Sequence, residues 1–163
     1  MASRQAEDVL GSVVVLVVDG NAFTRRLTKQ MLMNLGIKTI HEAADGVSAI
    51  DAIQNVNPDV MILDWDAPIL NGREVMRIVR VPGVFPKASL PVIMLTDQGL
   101  RSRATLSMQL GAHEMLVKPL SPKILEERLL GIILKPRPMV RAGKFYIPMP
   151  RRHVDMEELI SAT

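Results

Sequence analysis

Asp59-Val60-Met61-Ile62-Leu63-Asp64-Trp65-Asp66-Ala67-Pro68 reads as a strand that ends on reactive chemistry. Val60–Leu63 is apolar without alternation, as in a strand covered on both faces. The run stops at Asp64, and Asp66 to Gly72, holding Pro68 and Gly72, reads as a loop. Three other apolar runs end in the same manner. Val13–Val18 ends on Asp19, Val92–Leu95 on Thr96, and Met115–Val117 on Lys118-Pro119. Were these runs parallel neighbours, a nucleophilic carboxylate, an acidic metal ligand, a hydroxyl and an ammonium would meet along one sheet edge.

The segments between the runs have helical character. Phe23, Leu27, Met31 and Leu35 form a stripe at intervals of four, and Gly36 suits a helix C-cap. Ile37–His41 reads as a second strand, and Gly46–Val56 as a helix halted by Asn57-Pro58. Arg73–Val81 and Leu100–Leu110 read as further helices, and Ser121-Pro122 opens a last one that runs to Leu134. Strands alternating with helices predict a parallel sheet with helices on both faces. Such sheets bind ligands at the carboxyl ends of their strands.

Bulk composition narrows the class. At 163 residues, 48% hydrophobic and 23% charged, the chain suits one globular domain with a sizeable core. Aromatics are 3% against 11 Met, so Met is expected to fill core gaps. There is no cysteine, which excludes disulfide and thiol chemistry. Met1 to Gly11 is polar and lacks the pattern of a signal peptide, and no apolar run approaches the ~20 residues that span a bilayer. A cytoplasmic protein without a membrane partner is expected. His41, His113 and His153 share no metal-ligand spacing.

Val17-Val18-Asp19, Leu63-Asp64-Trp65-Asp66-Ala67-Pro68 with Asn71-Gly72, Met94-Leu95-Thr96 and Val117-Lys118-Pro119 together resemble a response-regulator receiver domain of two-component systems. The likeness is to the stand-alone chemotaxis type, here with a basic C-terminal tail. It implies a flavodoxin-like, doubly wound (βα)5 three-layer sandwich with strand order 2-1-3-4-5. Residues 1–12 are expected as a flexible segment, 13–134 as the receiver and 135–163 as the tail. The resemblance makes the chain a signalling phosphoprotein rather than an enzyme. Asp64 would accept a phosphoryl group from a histidine kinase or phosphotransfer protein. Mg²⁺ would be held by Asp19, Asp64 and the backbone carbonyl of Asp66. Lys118 would pair with a phosphoryl oxygen, Thr96 would bond the phosphoryl group, and position 115 would relay its presence to a downstream protein.

Three residues depart from that pattern. Gly20 stands where a second acid would help hold the metal, so Mg²⁺ binding is expected to be weak, with Asp66 or Asp97 partly replacing the lost charge. Asp97 follows Thr96, where a small residue is usual. It either crowds the entrance or turns outward to cap the next helix. Met115 replaces the usual Tyr or Phe, which blunts the readout.

The segment after Leu134 is too short for a DNA-reading or catalytic output domain. Output is therefore expected from the face of the fourth helix, fifth strand and fifth helix, with Arg101, Arg103, Ser107, His113 and Lys123, or from the tail. The tail carries Lys135, Arg137, Arg141, Lys144, Arg151 and Arg152 with no acid between Lys135 and Arg152. Arg137, Arg141, Arg151 and Arg152 are candidates for holding an anion, and some receivers bind cyclic dinucleotides through such tails. Otherwise the tail packs Met139, Phe145 and Tyr146 back onto the receiver. A short helix over 155–161 is also expected. The alternative to phosphorelay is a pseudo-receiver adaptor that works without phosphorylation, its basic tail binding an anionic partner.

Overall fold

A computed structural model describes residues 4–83, 85 and 87–149. The chain runs α1 (Arg4–Ser12), β1 (Val14–Val18), α2 (Ala22–Asn34), β2 (Thr39–Ala43), α3 (Gly46–Val56), β3 (Val60–Asp64), α4 (Gly72–Val79), β4 (Val92–Thr96), α5 (Arg101–Gln109), β5 (Glu114–Val117) and α6 (Pro122–Leu134), then β6 (Met139–Ala142) and β7 (Phe145–Pro148). Five parallel strands lie in the order β2-β1-β3-β4-β5, the flavodoxin-like arrangement.

The unbroken apolar runs follow from a sheet buried on both faces. Successive side chains of a strand point to opposite faces. Leu16, Val18, Met61, Leu63 and Met94 enter one core layer, with Ala49, Ile53, Val75, Met76 and Val79 of α3 and α4. Val15, Val17, Ile62, Ile93 and Leu95 enter the other, with Leu10, Leu32, Leu125, Leu129 and Ile132 of α1, α2 and α6. Methionine fills gaps as expected, Met61, Met76 and Met94 being fully buried.

Side-chain caps fix where the helices begin, each worth about 1 kcal/mol. Asn21 accepts from the N–H groups of Phe23 and Thr24. Asp45 accepts from Ser48, and Ser121, with Pro122 behind it, from Ile124. Asn71 and Glu74 form a reciprocal capping box that starts α4 at Gly72 and so fixes the loop beyond Asp64.

Several expectations need correction. Arg4–Ser12 is not a flexible segment but a helix that buries Ala6 and Leu10. Only half of the stripe expected on α2 faces the core: Met31 and Leu35 pack against it. Thr28 and Leu32 are buried, while Phe23 and Leu27 are exposed. Steps of four drift about 40° each around a 3.6-residue helix, so that series starts off the buried face and turns onto it by Met31. The second strand begins at Thr39, two residues later than Ile37 suggested.

The tail is a hairpin. β6 and β7 pair antiparallel across the two-residue turn Gly143-Lys144, with Gly143 at φ 60. Ile147 is buried and anchors it, and the Tyr146 N–H donates to the carbonyl of Arg80 at 3.5 Å. Arg80 is 0% exposed. Its guanidinium donates to the Gly111 carbonyl at 3.1 and 2.9 Å and to the Ala88 carbonyl at 2.7 Å. Burial pushes its pKa down to about 9, which leaves it charged at neutral pH. One buried cation thus ties the end of α4, the 81–91 connection and the α5–β5 turn together beneath the hairpin. The expected helix over 155–161 lies outside the described residues, as do Arg151 and Arg152.

Candidate functional site

The parallel register brings the polar strand ends to one edge. Val18 pairs with Leu63, Asp64 with Leu95, and Thr96 with Val117, so Asp19, Asp64, Thr96 and Lys118 all emerge at the carboxyl side. Asp19 and Asp64 are organised alike. Oδ1 of Asp19 accepts the Asn21 N–H at 2.9 Å, and Oδ1 of Asp64 accepts the Asp66 N–H at 3.1 Å. The other oxygen of each faces Lys118, whose Nζ lies 3.1 Å from Oδ2 of Asp19 and 3.3 Å from Oδ2 of Asp64. Asp19 is 1% exposed, and Arg25 donates to its backbone carbonyl at 2.7 Å.

Burial raises the Asp64 carboxyl above its ordinary range, and the neighbouring Asp19 pushes the same way. The Asp66 N–H and Lys118 oppose this without overcoming it. Burial alone would lower Lys118, but Asp64 and Asp19 outweigh it and raise the ammonium. Lys118 is therefore firmly cationic and fixed against the carboxylate that would react.

Two carboxylates against one ammonium leave a net negative charge among hard oxygen donors, which suits Mg²⁺. The donors fit that ion as a two-carboxylate site. Among the described residues no cluster of three or more His, Cys, Asp or Glu could hold a metal. The expected compensation for Gly20 by an acidic side chain is absent. The side chains of Asp66 and Asp97 are 58% and 66% exposed, and both point to Arg103 Nη1, at 3.7 Å each. Only the backbone carbonyl of Asp66 stays a candidate ligand there. Asp97 turns outward without capping α5, whose N-cap is Leu100 with no side-chain bond.

Arg103 is the site residue that sequence reasoning misplaced. It was expected on an outward output face. Its Nη1 instead donates to Oγ1 of Thr96 at 2.7 Å. Its guanidinium also lies over the ring of Trp65, 5.1 Å from the centroid, with Arg73 at 5.4 Å. Nothing in the sequence separates this placement from an outward one, because α5 lacks a clear apolar stripe. Ser107 and His113 are also withdrawn from that face, both being buried. Arg101 and Lys123 are exposed. Met115 is half-buried on β5 and packs against the α3–α4 core layer.

The tail candidates divide. Arg137 donates to the carbonyls of His113 and of Met149, so it fastens the hairpin rather than facing an anion. Arg141 is exposed on β6.

Residues 15–130 match the family described as response regulator receiver domain. The chain is 34% identical over 116 residues to chemotaxis protein CheY1 of Helicobacter pylori strain J99, covering 71% of this chain and 92% of that protein. Its fold is similar to the receiver domain of Francisella response regulator 1452, with TM-score 0.69 and 27% identity over 76% of this chain and 98% of that one. It is also similar to the CheY of Borrelia burgdorferi solved in a CheX–CheY–BeF3–Mg²⁺ complex, with TM-score 0.68 and 26% identity over 76% of this chain and 90% of that one. Fold, strand-end residues and sequence similarity agree, and the chain belongs to the response regulator receiver family of two-component signalling.

Proposed function

We propose that this response regulator accepts a phosphoryl group on Asp64 from a histidine kinase or phosphotransfer protein and signals by protein–protein contact. The observation that carries the reading is Lys118 Nζ standing within 3.1 and 3.3 Å of the two buried carboxylates at the ends of β1 and β3. A carboxylate oxygen of Asp64 attacks phosphorus, the P–O bond forms as the P–N bond to the donor imidazole breaks, and the imidazole keeps the electron pair and gains a proton. Lys118 stabilises charge on the phosphoryl oxygens, the larger part of what phosphoryl transfer requires of a protein. Asp19, Asp64 and the Asp66 carbonyl would hold Mg²⁺, which when bound neutralises further charge on those oxygens. With Gly20 in place of an acid, that binding is weak. The BeF3 and Mg²⁺ of the Borrelia CheX–CheY complex are consistent with this reading.

The test is incubation with a small acyl phosphate donor, with and without Mg²⁺, assaying for a hydroxylamine-labile aspartyl phosphate. Wild type should label in Mg²⁺ and Asp64→Asn should not. No label on wild type, and no response to beryllofluoride, would overturn the reading.

A further inference from the structure

We infer that Arg103 is a positioning residue of the phosphoryl site, holding the Thr96 hydroxyl and supplying a second fixed cation to the group that Asp64 carries. The inference rests on the proposal that Asp64 is phosphorylated. Thr96 Oγ1 is fully engaged in this state. It accepts from Arg103 Nη1 at 2.7 Å and from the Gln98 N–H at 3.1 Å, and its own proton goes to the Gln98 carbonyl at 3.2 Å. A hydroxyl has one proton and two lone pairs, so none is left for an arriving anion. To donate to a phosphoryl oxygen, Thr96 must leave the Gln98 carbonyl, but its bond from Arg103 can persist. The guanidinium is thereby carried to the same oxygens.

Its surroundings suit that task. Asp66 and Asp97 hold Arg103 only through exposed pairs at 3.7 Å, which are individually weak. A phosphoryl group offers a guanidinium shorter, forked hydrogen bonds and a higher charge, so it competes well for this cation. Trp65, next in sequence to Asp64, keeps the guanidinium beside the strand end by stacking at 5.1 Å. The arrangement gives a physical account of two departures from the family pattern. Asp97 is half of an exposed acidic pair around Arg103, and a fixed cation adds to the neutralisation that a metal site with one acid fewer supplies less well.

The experiment uses the full chain and beryllofluoride with Mg²⁺, read through Trp65, the one tryptophan. Arg103→Ala should weaken beryllofluoride affinity about tenfold, the scale of one charge-assisted contact. Arg103→Lys, which keeps charge but loses the fork, should recover part of it. In a Thr96→Val background the Arg103→Ala loss should shrink, because the two residues act as a unit. Unfolding midpoints taken alongside separate a folding defect, and Arg103→Lys serves if Arg103→Ala is unfolded. Wild-type response with unchanged affinity in the variants overturns the role of Arg103 alone. Full additivity with Thr96→Val overturns it also. No response from wild type overturns the phosphoryl reading and this inference with it.

Discussion

Pro68 occupies the space that a side chain at Gly20 would need. A Cβ on Gly20 would lie 2.7 Å from Cδ and 3.0 Å from Cγ of Pro68, a rigid ring that cannot swing away. The loop that carries Asp66 has closed over the place of the missing acid. Gly20→Asp is therefore expected to lower stability by about 1–3 kcal/mol, the range for overpacking, without tightening Mg²⁺ binding. Pairing it with Pro68→Ala should recover part of the stability and allow tighter binding. Thermal unfolding and Mg²⁺ titration of Trp65 fluorescence check both; tighter binding by Gly20→Asp alone would contradict this account.

Asp64→Asn is expected to stabilise the metal-free protein at neutral pH. The folded state raises the Asp64 carboxyl above its unfolded value of 3.8, chiefly through burial. The favourable, protonated form is therefore fully present below 3.8 and is lost as pH rises through the folded value. The amide lacks that loss. The difference in unfolding midpoint, measured with chelator present, should be positive at neutral pH and fall toward zero in acid.

Arg80→Ala is expected to cost about 3 kcal/mol. It removes packing volume at a fully buried position and strands the carbonyls of Gly111 and Ala88 without their donor. Hydrogen exchange in β6 and β7 should quicken more than in β1 and β3. Equal quickening across all four strands would mean that Arg80 supports the whole fold rather than the hairpin seat.

Glu42 gives a contrasting, small effect. Burial works against its charge, but Lys29 at 3.1 Å and Arg25 at 3.3 Å lower its carboxyl below the ordinary value. Its contribution is present above 4.5, the unfolded value, and is lost as pH falls through the folded one. The side chain is a third exposed, so Glu42→Gln should cost less than about 1 kcal/mol, and less in high salt. Denaturant titrations at two ionic strengths check it.

The sheet and its reactive edge were legible because each strand carries its own signal. Val60–Leu63 shows its burial as an unbroken apolar run, and Asp19, Asp64, Thr96 and Lys118 each stand at the end of one. Residues whose role depends on tertiary direction were not legible. Arg103 has the same local pattern whether it faces solvent or Thr96, since α5 lacks a clear apolar stripe. Arg80 follows Met76 by four and so shares its buried face, yet an arginine there reads as a surface residue until the carbonyls of Gly111 and Ala88 are seen to accept its hydrogen bonds. The hairpin has a local sign in Gly143-Lys144, but the basic residues around it point as readily to a solvated tail.

The hairpin seats against Arg80, Gly111 and His113, all at the amino ends of the strands, whereas Asp64 sits at their carboxyl ends. Five strand residues separate these ends, about 16 Å of sheet. The described part of the basic tail therefore has a different address from the acidic pocket. A ligand on Arg141 and a phosphoryl group on Asp64 would not compete for space. α5, which touches Thr96 near its start and approaches β7, spans the distance between the two ends.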